Sequence, residues 1–294
     1  MIPKQIFQKV RQIEITTSRL VTDVFAGQYH SVFKGRGIEF DEAREYLIGD
    51  DIRTIDWNVT ARTGALHIKK YVEERELTVM ILVDFSRSCQ FASVNQLKSK
   101  LAAEIAAVLA FAAIRNNDKI GMVAFTDHVE KFIAPRKGVR HVLRVIREML
   151  YFSPKGFATN ITKALEYLNK LKIRRAVLFV VSDFFDRHEF KKALSIANKR
   201  HDVVAITLND PREKDLPECG LLELEDAETG EFTTVDSSDK RVRYKYGQDA
   251  RDRLRNREML FASAGIDHID VSTETSYTKE LKKFFITRRS RRLS

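Results

Sequence analysis

Four runs that are apolar almost throughout, LTVMILV (77–83), KIGMVAF (119–125), AVLFVVS (176–182) and DVVAITL (202–208), constrain this chain more than any other feature. Each is short for a helix and rich in the β-branched residues that favour a pleated strand. A strand with one solvated face alternates apolar and polar residues. These runs do not alternate, so both faces of each are covered. The segments between them, QLKSKLAAEIAAVLAFAAIRN, VRHVLRVIREMLY, ITKALEYLNKL and HEFKKALSIANKR, carry helical periodicity. Such alternation predicts an α/β fold, a doubly wound, mostly parallel sheet with helices on both sides. Asp127 and His128 suit a tight turn into a further strand, VEKFIA. After DVVAITL the pattern is interrupted by LLELEDAETGEFTTVD, which alternates around Glu228, Thr229 and Gly230 and predicts an inserted β-hairpin. A long charged helix to about Ala264, a last strand in GIDHIDVS and a closing helix in YTKELKKFFI follow.

Residues 1–75 have another character. A helical segment near the start leads into a stretch in which charges mix with Phe33, Phe40, Tyr46, Trp57 and Tyr71 and no long apolar run occurs. Short strands, turns and one brief helix are expected there, a small α+β module. GRGIEF begins like a dinucleotide fingerprint but lacks the third glycine and a preceding apolar strand, so no phosphate cradle is assigned. The expected division is 1–75 for the N-terminal helix and module, 76–286 for the α/β domain and 287–294 for a basic tail.

Of the 294 residues 44% are hydrophobic, enough to bury a sizeable core. The amino terminus lacks the apolar stretch of a signal peptide, and LAAEIAAVLAFAAI is too short to span a bilayer and carries Glu104. Cys89 and Cys219 offer neither a disulfide framework nor a metal knuckle. These features predict a soluble cytoplasmic protein with no membrane span. A net charge of +10 raises the question of nucleic acid. Yet Arg288, Arg289, Arg291 and Arg292 crowd the last eight residues, and Arg251, Arg253, Arg255 and Arg257, spaced two apart, spread around a helix surface. With no RNA-binding aromatic signature or zinc finger beside them, a solvated surface and a frayed basic tail are expected instead.

The first apolar strand ends in DFSRS, which places Asp84, Ser86 and Ser88 two residues apart. Along an extended chain such residues point the same way, so three oxygens face one point. In an open α/β sheet the carboxyl ends of the strands are where ligands bind. One carboxylate and two hydroxyls suit a hard cation such as Mg²⁺. VVSDFFD ends another apolar strand at Asp183, and GFATNI sets Thr159 just before a helix start, on the same rim. Singly, Asp and Ser after a strand are ordinary turn and capping residues; the five together point to a metal site.

That set, Asp-x-Ser-x-Ser with a loop Thr and a strand-end Asp, resembles the metal-ion-dependent adhesion site of von Willebrand factor A-type domains, over about Leu77 to Leu208. The resemblance implies that Asp84 stands beside Asp183, that Asp84, Ser86, Ser88 and Thr159 are direct or water-mediated ligands, and that Asp183 binds mostly through water. Further upstream, GRGIEFDEAREYLIGDDIRTIDWNVTARTGALHIKKYVEERE resembles the core signature of the bacterial family catalogued as domain of unknown function 58. This second resemblance implies a MoxR-type AAA+ ATPase as partner, along with other A-domain proteins, in chaperone-like assembly or stress functions. The signature is dense in Glu39, Asp41, Glu42, Arg44, Glu45, Asp50, Asp51, Arg53, Asp56 and Arg62. These charges read first as an internal ion-pair network with Trp57 as its apolar anchor, and second as a docking face.

The function expected is a non-enzymatic, metal-dependent binding module. Its cation, Mg²⁺ with Mn²⁺ or Ca²⁺ as alternatives, would keep one position open for a partner's carboxylate, and no catalytic residue is assigned. One competing expectation is a Mg²⁺-dependent phosphohydrolase with Asp84 as nucleophile, for which position 86 would want Asp rather than Ser. The other is nucleic-acid binding through the tail. HEFKK has Lys192 where a zinc-peptidase helix needs its second histidine.

Overall fold

The structure, a computed structural model, describes residues 38–73, 76–94 and 96–293. The helix expected near the amino terminus, and Phe33, lie outside the described residues. Of the described residues, those from 38 to 77 belong to one compact unit and those from 78 onward to another.

In the first unit β1 (Ile38–Glu45) and β2 (His67–Glu73) pair antiparallel, with a bulge between Phe40 and Glu42. Between them lies α1 (Trp57–Thr63), begun by the Asp56 carboxylate, which accepts from the Asn58 and Val59 N–H groups, and ended by Gly64 at φ 76°. Charges here pair locally. Arg44 holds both oxygens of Asp50 at 2.8 Å, and Lys70 reaches Glu42, its cross-strand neighbour, at 2.8 Å. Trp57 is no apolar anchor: it opens a helix none of whose residues is buried, and it stands 67% exposed.

In the second unit the apolar runs form β3 (Thr78–Asp84), β4 (Lys119–Phe125), β6 (Val177–Ser182) and β7 (Asp202–Asn209). With β5 (Val129–Arg136) and β10 (Asp267–Ser272) they make one six-stranded sheet in the order β10-β7-β6-β3-β4-β5, parallel except for β5 at the edge. Helix α2 (Lys98–Arg115) is buried at thirteen of its eighteen positions, so it is enclosed rather than laid on a surface. Helices α3 (Val139–Tyr151) and α4 (Ile161–Lys170) bury one stripe each, Val142-Val145-Ile146-Met149 and Ile161-Ala164-Leu165-Leu168. Helix α5 (Lys191–Arg200) starts three residues later than its periodicity predicts, because Asp186 holds the N–H and the ring of His188 in a turn, each at 2.8 Å. The expected hairpin is β8 (Leu221–Glu225) with β9 (Phe232–Asp236), followed by the charged helix α6 (Lys240–Ser263).

The arginines depart from expectation at two places. The final helix α7 (Tyr277–Leu293) continues through the tail, which is therefore not frayed. Arg288 is buried and pairs with Asp202 and Asp267, carboxylates at the starts of β7 and β10, and Arg291 also reaches Asp267. Those partners fix the tail as helix and take up cations that nucleic acid would need. Arg257 turns inward rather than spreading over the surface of α6, donating to the Asp183 carbonyl and to Asn209 at 3.0 Å each.

Candidate metal centre

Strand order makes the site. From β3 the chain steps to β4 on one side and later returns to β6 on the other, so a crevice opens where β3 and β6 end. Val83 and Val181 are register partners, so Asp84 meets Ser182 and Asp183 follows one residue on. Both carboxylates are fully buried.

The loop after β3 folds back on Asp84. Its Oδ1 accepts the Ser86 N–H at 2.8 Å, its Oδ2 accepts the Ser182 hydroxyl at 2.6 Å, and the Ser86 and Ser88 hydroxyls lie 3.0 Å apart. The Arg87 N–H donates to the Phe157 carbonyl at 2.8 Å, tying this loop to the one that carries Thr159. Gly156 lets that second loop close in: a Cβ there would stand 2.3 Å from the Thr126 hydroxyl. Glu130 accepts from the Lys155 and Gly156 N–H groups at 2.8 and 2.7 Å. The third loop begins at Asp183. Phe184, at φ 58°, takes the left-handed conformation, a strain worth about 1–3 kcal/mol that persists only where the surroundings enforce it. Here they do: the Phe184 N–H donates to the Ser182 hydroxyl, the Phe185 N–H to Asp183 Oδ1, and Arg257 to the Asp183 carbonyl. Asp186 then accepts the Ile161 N–H at 2.8 Å, joining this loop to α4 just beyond Thr159. Asp84, Ser86, Ser88, Thr159 and Asp183 are thus gathered on three mutually bonded loops, all buried.

The electrostatics call for a cation. Burial, and then the charge of Asp183, push the Asp84 carboxyl up to about 7, against the hydrogen bonds from Ser182 and Ser86. One buried ammonium answers the pair: Lys98 Nζ lies 2.7 Å from Asp183 Oδ2 and also contacts Glu213. Burial works against the Lys98 charge, but the Asp183 and Glu213 carboxylates outweigh it and hold the ammonium above its ordinary range. Asp84, Asp183 and Cys89 present ligand atoms within 4.8 Å of one another. Burial, then the two carboxylates, drive the Cys89 thiol well up, so it is a neutral packing group and a poor match for a hard ion. The Thr159 hydroxyl is buried with no hydrogen-bond partner, a cost that a bound ion would remove. A donor set of carboxylate and hydroxyl oxygens that includes an orphaned hydroxyl fits a hard divalent cation.

Beside Ser88 a cleft of about 320 Å³ is lined also by Asp226 and Glu228 of the hairpin turn. Burial raises the Glu228 carboxyl, against the charge of Arg187 and the backbone N–H of Thr159. Sequence reasoning misses Lys98, Ser182, Arg257 and Glu228. The one signal available was an arginine inside each ligand motif, Arg87 in DFSRS and Arg187 in DFFDR.

The family model described as protein of unknown function DUF58 matches residues 42–256. The chain belongs to the DUF58 family. Among relatives of this DUF58 chain, the uncharacterized protein Rv1480 of Mycobacterium tuberculosis is 28% identical over 283 residues, 95% of this chain and 89% of the relative. The sheet order, the antiparallel edge strand and the site at the switch point make the fold von Willebrand factor A-like. The SpRpn10 VWA domain matches 70% of this chain with 93% of its own length, at 11% identity and a TM-score of 0.38. An aerotolerance-related membrane protein from Bacteroides fragilis matches 73% of this chain with 99% of its own length, at 15% identity and a TM-score of 0.49. The cytoplasmic expectation is corrected: that neighbour is described as a membrane protein, and neither the amino-terminal residues nor two free cysteines assign this chain to the cytoplasm. Among the described residues no helix is long and apolar enough to cross a membrane.

Proposed function

We propose that this DUF58 protein is a non-enzymatic adaptor that engages a partner through a divalent cation, Mg²⁺ or alternatively Mn²⁺ or Ca²⁺. Asp84, Ser86, Ser88 and Thr159 hold the ion and Asp183 acts through water. The partner proposed is a MoxR-type AAA+ ATPase, with other A-domain proteins as further members of the assembly. The observation that carries the proposal is the orphaned, buried Thr159 hydroxyl on a loop bonded to the loops of two fully buried carboxylates. When bound, the ion supplies an electrophilic position for a carboxylate of the partner. The chain's own groups orient the ligands: Ser182 fixes one oxygen of Asp84, while Lys98 and the Phe185 N–H fix Asp183. Both oxygens of Asp84 are thereby engaged, which makes it a poor nucleophile and speaks against the phosphohydrolase alternative.

The test is thermal unfolding of wild type and Asp84→Ala with and without Mg²⁺, together with capture of a purified MoxR-type ATPase. At a hundredfold excess of ion over Kd the wild-type midpoint should rise by on the order of 5 °C, and that of the variant should not move. Capture should require both the ion and Asp84. Equal shifts in the two proteins would remove the ion site, and capture by both regardless of metal would remove the ion bridge.

A further inference from the structure

We propose, on the strength of the ion site read above, that Glu228 is the chain's own occupant of the ion's acid position, so that a partner's carboxylate must displace it. Three features of the hairpin converge on this. First, the turn between β8 and β9 is built to present Glu228: Asp226 Oδ1 accepts the N–H groups of Glu228 and Thr229 at 2.8 and 3.1 Å, and Gly230 closes the turn at φ 72°. Second, the hairpin is held to the ligand loops by the two arginines inside the ligand motifs. Arg87, between Ser86 and Ser88, pairs with Glu225 at 3.1 Å. Arg187, four residues after Asp183, pairs with Asp226 at 2.8 Å and Glu228 at 2.9 Å.

Third, the carboxylate so held is unfinished. The Glu228 side chain is only 14% exposed; Arg187 takes Oε2, while Oε1 is buried with no hydrogen-bond partner. An unsatisfied carboxylate oxygen in such a place costs more than a neutral orphan, and it persists where something else satisfies it. The Thr159 backbone N–H stands near enough to favour the Glu228 anion, and the Thr159 hydroxyl is the second orphan. Ser88, a third hydroxyl of the ligand set, shares its cleft with Glu228. Two orphaned oxygens at adjoining residues of different loops are both satisfied by one cation. Arg187 is half-exposed and its pairs are solvent-screened, so the hairpin is held loosely enough for a better acid to replace it. A partner is then selected by its ability to present a carboxylate and outcompete Glu228.

The test uses the full chain and Mn²⁺ as the probe ion, reading its affinity and the relaxation of water protons it causes, with acetate as the probe carboxylate. Glu228→Gln should bind Mn²⁺ about tenfold more weakly or worse. It should also relax water more strongly through a newly opened position, and lose that gain saturably as acetate is added, whereas wild type should be indifferent to acetate. Arg187→Gln, which loosens the hairpin and leaves the carboxylate intact, should move in the same direction by less. If Glu228→Gln matches wild type in Mn²⁺ affinity, relaxation and acetate response, the inference falls and the ion site stands. If wild type binds no Mn²⁺, or Asp84→Ala binds it equally well, the ion site itself falls.

Discussion

The two units handle charge in opposite ways. In the sheet unit Asp84, Asp183 and Lys98 have no solvent exposure, and the ammonium of Lys98 is enclosed between Asp183, Glu213 and the face of the Phe185 ring. In the small unit Arg44 and Asp50 are 37% and 19% exposed, and Lys70 and Glu42 49% and 57%. Water screens the second kind of pair and hardly touches the first. The two ion pairs described in the family signature are therefore of small individual consequence, while a handful of charges at the ends of β3 and β6 carries a large electrostatic cost. A buried cluster with more carboxylate than ammonium is a poor way to stabilise a fold and a good way to hold a cation.

Lys98→Met breaks the comparison most directly. It removes the one ammonium on Asp183 among the described residues and leaves that carboxylate buried without a counter-charge, which should cost about 3–5 kcal/mol in denaturant unfolding. A loss no larger than that of a surface substitution would mean that Lys98 is not what balances the site. His201 sharpens the contrast at the other end of the sheet. Burial, and then the charges of Arg200 and Arg175, lower its pKa to about 4, and its Nδ1 accepts the Ala176 N–H at 3.2 Å. Because the folded value lies below the ordinary 6.5, the unfolded chain takes up the proton first as pH falls. The stabilisation is complete above pH 6.5 and is lost progressively down to about pH 4, on the order of 3 kcal/mol in all. His201→Asn, which keeps an acceptor for Ala176, should flatten that part of the stability profile. An unchanged slope would assign the loss to other groups.

The legible features were those set by local rules. The apolar runs declared themselves because a strand covered on both faces needs no polar alternation. Asp84, Ser86 and Ser88 were found by their two-residue spacing, although the chain is not extended there: the strand ends at Asp84 and Ser88 lies in a short 3-10 turn, Arg87–Gln90, that folds back on it. Asp183 and Thr159 were found because they end a strand and precede a helix. What stayed hidden depends on partners brought from far along the chain. Lys98 heads a helix in QLKSKLAAE and looks like any solvated lysine; its burial is decided by Asp183, 85 positions away. Arg257 and Arg288 likewise look like surface charge until the starts and ends of β6, β7 and β10 supply their acceptors. Ser182 meets Asp84 only through the β3–β6 register, and Glu228 meets the Thr159 loop only because the hairpin folds back over the rim.

The smallest effect is expected from Arg44→Ala, and it tests the other half of the comparison. Arg44 grips Asp50 with two hydrogen bonds, the strongest geometry such a pair has, and Asp50 keeps the Leu47 N–H as a further donor when the guanidinium is gone. Nothing buried is left unanswered, so the unfolding midpoint should move less than for Lys98→Met. The decisive variable is salt. At about 1 M the screening length falls to ~3 Å, within the reach of an exposed pair. The difference between wild type and Arg44→Ala should therefore shrink towards nothing between low and high salt, while the difference for Lys98→Met, whose charges meet no solvent, should persist. A salt-insensitive effect of Arg44→Ala would show that charge in the small unit is sheltered as it is at the rim of the sheet.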